Sequence, residues 1–415
     1  VVAFVLKLRI QKGAEMKRNL YIGSTLSVLI VAFGVAAGAL QKTADAQSKG
    51  AVMAPRFEVD PMWPKPLPNG WYLGQTIGVG VDAQDHIWII HRSDSLDQVE
   101  AAADEQTGTC CKKAPPVMEF DQQGNLLRHW GGKDGEGYQW PASNHGLQID
   151  GKGNIWIGGN GGANDGHILK FTQDGKFLLQ VGIKKQGLGP DSNAMDRFYM
   201  VAKVSLDNKN NEAYVADGYG NKRVAVVDMD SGKIKRYWGA YGNKPDDAAA
   251  AAAPRYTPGS TPSQQFRGPV HCADPSSDGF IYVCDRTSDR LQVFTRDGKF
   301  VKEVFVEPDS LGDGSTWDTA FSKDPQQKYL YVADGRNQKL HIYDRASMTE
   351  LTNFGEGGHY PGQFYSMHSI AVDSKGNLYT TETYQGRRVQ RFVYKGLAPV
   401  TKKMQGTVWP TTATR

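Results

Sequence analysis

Long apolar runs, an excess of one charge and cysteine are all scarce in this chain, and each shortage narrows what it can be. The apolar run from Leu26 to Leu40 is short for a membrane-spanning helix. It follows Met16-Lys17-Arg18-Asn19 and precedes Ala44-Asp45-Ala46. A basic start, a short apolar stretch and a small-x-small exit read as a secretory signal peptide, with the residues before Met16 as an upstream start. The expected location is periplasmic or secreted, or membrane-anchored if the leader over 1–46 is retained. That leader carries six basic side chains against Glu15 and Asp45, so without it the formal charge of +4 falls to zero. No basic stripe remains to favour a nucleic-acid partner, and no stable membrane partner is expected.

The four cysteines all follow the leader, in a compartment that permits disulfides. Cys272 and Cys284 fall on adjacent strands of one expected hairpin, where a cross-strand bridge fits. Cys110 and Cys111 are neighbours in a loop and could pair elsewhere or stay as thiols, since spacing does not settle connectivity.

At 415 residues the chain is long enough for one large all-β domain or for two domains. Repeats decide between them. One copy runs from His145-Gly-Leu-Gln-Ile-Asp through Asn154-Ile-Trp-Ile, then Gly166-His-Ile-Leu-Lys-Phe, then Gly175-Lys-Phe-Leu-Leu. Alternating apolar positions between Asp/Gly turns predict short antiparallel strands. Further copies begin near Ile77, Val201, Val270, Trp317 and Met367, making six. Four-stranded units repeated radially make a β-propeller, here with six blades. The reading divides the chain into the leader over 1–46, an extended lead-in over 47–70, the propeller over 71–400 and a tail over 401–415. The last copy lacks a clear fourth strand after Tyr394, and a strand from about 51–76 is expected to complete it. Between Tyr241 and Phe266 the rhythm breaks at six alanines, Ala248 to Ala253, which suit either a short helical turn stopped by Pro254 or an irregular loop.

Three copies carry a histidine in one register. His145, His271 and His368 each stand eleven residues before the aromatic of the next strand, Trp156, Tyr282 and Tyr379. They occupy the second, fourth and sixth copies, while the odd copies have Ile77, Lys203 and Ala320 there. A closed ring would aim the three imidazoles at one axial point, a ligand set that suits Zn²⁺ and leaves a coordination position open. Arg92, Tyr219 and Arg286 lie just beyond the second strands of their copies and should face the same mouth. A tyrosine beside an arginine is a candidate general base towards a substrate hydroxyl. Otherwise the arginines would pair with Asp85, Asp217 or Asp285. His91, next to Arg92, is also placed at the mouth.

At these residues the chain resembles the peptidyl-α-hydroxyglycine α-amidating lyase family, within the six-bladed NHL-repeat propellers, over about residues 70–395. The family's zinc histidines are matched by His145-Gly-Leu-Gln-Ile-Asp, Val270-His271-Cys272-Ala273 and Met367-His368-Ser369-Ile370. Its catalytic arginine is matched in Ile90-His91-Arg92-Ser93, its catalytic tyrosine in Asp217-Gly218-Tyr219-Gly220-Asn221, and a second active-site arginine in Cys284-Asp285-Arg286-Thr287-Ser288. The resemblance implies a metal-assisted lyase acting on a small-molecule or peptide α-hydroxy amide, with zinc as cofactor. A separate hydroxylating enzyme would have to supply the substrate. Two positions depart from the family: Gly220 replaces a disulfide cysteine, and Ser369 replaces an aspartate that helps hold a structural Ca²⁺. Competing readings are a lactonase-type hydrolase, which wants calcium held by oxygens on the axis, and a non-catalytic propeller that binds a ligand or protein.

Overall fold

Short alternating strands can bury only one edge of a repeat, so each repeat packs against the next and the series closes on itself. A computed structural model, describing residues 50–162, 165–183 and 189–410, shows six four-stranded antiparallel blades. The leader over 1–46 lies outside the described residues. Among those described, no helix is long and apolar enough to cross a membrane.

The innermost strands are Gln75–Val81, Asn144–Ile149, Lys203–Asp207, Val270–Pro275, Asp318–Phe321 and Met367–Val372, one from each blade in order. Each contacts the next around the ring, and the sixth contacts the first. The aromatic of every second strand, Trp88, Trp156, Tyr214, Tyr282, Tyr331 and Tyr379, is buried. Turn aspartates hold three of these side chains. Asp82 accepts from Trp88 Nε1 at 3.0 Å, Asp150 from Trp156 Nε1 at 3.2 Å and Asp373 from Tyr379 Oη at 3.1 Å. The same carboxylates cap the turn's backbone N–H groups, as in Asp150 with Lys152 and Asn154. The recurring Asp and aromatic therefore fix the phase of the first, second and sixth blades.

The sixth blade is completed from the other end of the chain. Met53–Asp60 pairs outside Arg388–Pro399. The propeller thus takes in this strand from the stretch 47–70 as well as the span 71–400, because Arg388–Pro399 would otherwise be an open edge. Residues after 400 run back along the fifth blade, where Asn353 N donates to Lys403 O at 2.9 Å, and reach this strand through Val59 N and Val408 O at 2.9 Å. Within the interruption, Asp247–Ala252 forms a helix, with Asp246 Oδ1 accepting from Ala249 N at its start. Cys272 and Cys284 form a cross-strand disulfide, and Cys110 is joined to Cys111.

Candidate functional site

The histidines reach the axis through irregularities in otherwise regular ladders. In the fourth blade Val270 pairs with Asp285 and Cys272 with Cys284, leaving His271 as an extra residue. In the sixth, Met367 pairs with Glu382 and Ser369 with Thr381, leaving His368. In the second, the extra residue is Gly146, directly after His145. Such bulges re-aim side chains. The third and fifth blades keep a regular inner pair, while the first, which contributes no histidine, carries an extra residue at Ile77. Gly146 has φ +70, and a Cβ there would lie 2.6 Å from Ala202 O, the carbonyl that His145 contacts.

One ring nitrogen from each of His145, His271 and His368 lies within 4.8 Å of the others. His145 Nδ1 bonds Ala202 O at 2.6 Å, and His271 Nδ1 bonds Trp317 O. A carbonyl can only accept, so both Nδ1 atoms carry the proton and both Nε2 atoms present lone pairs. Fixing the tautomer through the far nitrogen is how metal-binding histidines are held. His368 Nδ1 is buried and has no hydrogen-bond partner. Burial first, then the Arg92 and Arg286 charges for His145, Arg286 for His271, and the neighbouring His145 and His271 ahead of the two arginines for His368, hold all three well below the usual histidine range. They are therefore neutral, the form that binds a cation. Three neutral imidazoles, two with oriented lone pairs and one with an orphaned nitrogen, fit a metal ion.

Tyr219 Oη lies 3.1 Å from both His145 Nε2 and His271 Nε2. Arg286 Nη1 donates to the same oxygen at 3.1 Å, while its guanidinium stacks over Trp317 at 4.4 Å. Arg92 donates only to neutral oxygens in its hydrogen bonds: Asn160 Oδ1 at 2.7 Å, Gln75 Oε1 at 3.0 Å and Asn144 O at 3.3 Å. Burial lowers its pKa, opposed by its attraction to Tyr219, Tyr384 and Asp165. The carboxylates that might have engaged these arginines are taken elsewhere. Asp217 pairs with Arg223 at 2.8 Å, Asp285 with Arg290 at 3.0 Å, and Asp85 bonds Ser374. Among the described residues, the carboxylate paired with Arg286 is half-exposed Asp313 at 3.8 Å. The mouth thus presents two cations with little compensation, a setting for an anionic ligand.

All six residues singled out from the sequence meet here. His91 does not face the mouth: it is buried, accepting from Gly74 N at 3.1 Å and bonding Pro115 O at 3.0 Å. Gln75, Asn160 and Trp317, which grip the arginines, were not singled out from the sequence: Gln75 stands opposite Arg92 in the same hairpin, while Asn160 and Trp317 come from the blades next to those of the arginines they touch. Gly220 stands against Tyr199, whose ring would lie 2.0 Å from a Cβ there, so the smaller residue is required by this packing.

The donors below the histidines do not fit calcium. Ser369 Oγ donates to Asp318 Oδ2 at 2.7 Å. Lys203 Nζ stands between Asp318 Oδ1 at 2.5 Å and Asp274 Oδ1 at 2.8 Å. Burial pulls the Lys203 ammonium down, but the two carboxylates more than offset this and hold it above the usual lysine range. The positive charge an ion would bring is already built into the chain, and neighbouring Cys272 is oxidised. A further group, Asp82, His86 and Glu119, is committed to the turn and to Arg128 at 2.7 Å.

No family model matches the chain. By sequence its relatives include the peptidylglycine alpha-amidating monooxygenase of Rattus norvegicus. That protein is 27% identical over 249 residues, covering 58% of this chain and 22% of the relative. The chain therefore spans about a fifth of the length of the monooxygenase it matches. NHL repeat-containing protein 3 of Mus musculus is 25% identical over 307 residues, covering 69% of this chain and 70% of that protein. Among solved structures, a catalytically inactive virginiamycin B lyase from Staphylococcus aureus with quinupristin aligns over 86% of this chain and 94% of that chain. Its TM-score is 0.46 at 15% identity, a likeness of overall shape from which no chemistry is read.

Proposed function

We propose that the protein is a zinc-dependent lyase that cleaves the C–N bond of a peptidyl-α-hydroxyglycine, or a similar α-hydroxy amide, to an amide and glyoxylate. The observation that carries this reading is Tyr219 Oη, 3.1 Å from two imidazoles of the three-histidine point and 3.1 Å from Arg286. His145, His271 and His368 would hold the ion, which when bound supplies Lewis-acid polarisation of a substrate oxygen. Tyr219 takes the proton of the α-hydroxyl. Arg286 compensates charge on the phenol oxygen, and Arg92 stabilises negative charge developing on the substrate. The oxygen's electron pair forms the aldehyde C=O, the C–N bond breaks, and the proton returns to the departing amide nitrogen. Atoms and charge balance without a redox cofactor, and an upstream hydroxylating enzyme would supply the substrate.

The lactonase alternative is less well supported, because the buried axial carboxylates Asp274 and Asp318 are engaged by Lys203. The test is metal analysis of the purified protein together with glyoxylate release from an α-hydroxyglycine amide. About one zinc per chain is expected, lost in His271→Ala with the β fold retained. Zinc-replete protein that releases no glyoxylate would remove the substrate assignment.

A further inference from the structure

Cys272 and Cys284 tie two strands of the fourth blade together, whereas the bond between Cys110 and Cys111 ties no two elements. Consecutive residues close the shortest loop a disulfide can close, and the chain entropy such a bond removes from the unfolded state grows with loop length. This bond therefore adds little to stability by that route. The two pairs also differ in access. Cys272 and Cys284 are fully buried, while Cys110 ends an exposed stretch over residues 105–110 and Cys111 behind it is 8% exposed. Cys111 has φ +117, a left-handed backbone that a residue with a Cβ keeps only where its surroundings hold it. Besides the bond to Cys110, the Cys111 carbonyl accepts from Ala103 N at 3.1 Å, and Lys112 N donates to Gly70 O at 2.9 Å. The loop that ends here, residues 93–111, leaves the strand carrying Arg92. Ser95 Oγ donates to Arg92 O at 2.7 Å, and Arg387 of the sixth blade donates to Ser95 O at 3.1 Å and pairs with Glu100. The loop thus joins the first blade to the sixth at the edge of the axial site.

We propose that Cys110–Cys111 is a thiol-exchange site that takes a low-molecular-weight thiol at Cys110, and that its opening frees Cys111 and the loop over residues 93–111. Exposed or strained disulfides are the labile ones, and buried structural ones resist reduction. The incoming thiolate bonds to Cys110 Sγ as the Cys110–Cys111 bond breaks, and the electron pair goes to Cys111 Sγ, which takes up a proton. A second thiol displaces the first from Cys110, and the two depart as their own disulfide. The pair has then gained two electrons and two protons, and two thiols have been oxidised. With the bond gone, Cys111 returns to negative φ and its carbonyl turns away from Ala103 N. The two sulfurs stay one residue apart, so an oxidant restores the bond without a search through the chain. The site works the same way whichever ligand the axial histidines and arginines serve.

The experiment equilibrates the full-length protein in glutathione buffers of rising reduced-to-oxidised ratio, blocks free thiols with N-ethylmaleimide and reads each cysteine by mass spectrometry. Cys110 and Cys111 are expected to open at a ratio at least about tenfold below the one that opens Cys272 and Cys284, with far-ultraviolet circular dichroism unchanged. Samples quenched in acid at early times should carry glutathione on Cys110, and glutathione on Cys111 instead would overturn the point of attack. Hydrogen exchange at the Ala103 and Lys112 amides should quicken by at least about tenfold in the reduced protein and in Cys110→Ser/Cys111→Ser, with the blades unchanged. The reduced parent gives the same reading if that double variant does not fold. Both bridges opening together, or Cys110–Cys111 opening only as the protein unfolds, would overturn the exchange site. Exchange at Ala103 and Lys112 that ignores the redox state would overturn the release of the loop.

Discussion

At the scale of single residues, the phenol of Tyr219 separates a catalyst from a binding surface. Removing its oxygen in Tyr219→Phe leaves the ring to pack as before but deletes the group between the two imidazoles and Arg286. Turnover should fall by at least about 100-fold while zinc content and thermal stability hold, as read by glyoxylate release, metal analysis and melting. Near-normal turnover would exclude Tyr219 as the base. A different histidine governs stability. His341 is buried, with Nδ1 2.8 Å from Glu350 and Nε2 3.3 Å from Asp334. Burial opposes its charge, but the two carboxylates win and raise it from 6.5 to about 9. A pKa raised in the fold means stabilisation that is complete below about 6.5 and lost as pH rises through about 9. The unfolding free energy from denaturation should therefore drop between those limits by an amount on the order of 3 kcal/mol. His341→Gln should be less stable near neutrality and lose that pH dependence. A flat profile in the unaltered protein would show that the histidine is neutral in the fold.

At the scale of strands, the register of the histidines was legible because an aromatic and a turn aspartate recur in each blade. An eleven-residue offset from a residue of known phase names the same place on every inner strand. The bulges at Gly146, His271 and His368 were not legible, since an extra residue in a ladder leaves no mark on the alternation of neighbouring apolar positions. The hold of Asn160 on Arg92 was also hidden, because Asn160 stands 68 residues away along the chain in the next blade. Lys203 looked inert for want of a metal-binding side chain, yet it joins the inner strands of the third, fourth and fifth blades through Asp274 and Asp318. Asp274 is also held by Ser205 and Thr319, both at 2.7 Å. Lys203→Met removes the ammonium and leaves two buried carboxylates facing each other. Breaking a buried pair from one side costs about 3–5 kcal/mol. Urea denaturation should show a loss of that size, partly recovered in Lys203→Met/Asp318→Asn. A single variant as stable as the parent would mean that the network adds nothing to holding the blades together.

At the scale of the whole molecule, a three-histidine site spread over alternate blades exists only while the ring is closed. His368 belongs to the sixth blade, whose outer strand, Met53–Asp60, comes from the opposite end of the chain. That strand buries Ala54, Phe57 and Val59, and the Phe57 ring meets Tyr331 at 5.6 Å, Phe354 at 5.8 Å and Tyr394 at 5.9 Å. It thereby joins the fifth blade to the sixth. Phe57→Ala should cost about 3–5 kcal/mol, the usual loss for a buried phenylalanine. A chain starting after Asp60 keeps all six site residues but exposes the edge of Arg388–Pro399 and frees the last blade to shift. Its zinc content should fall well below that of the full chain, and size-exclusion chromatography should show association through the open edge. Full zinc loading in that truncated chain would mean the six inner strands hold the histidines in place without the closing strand.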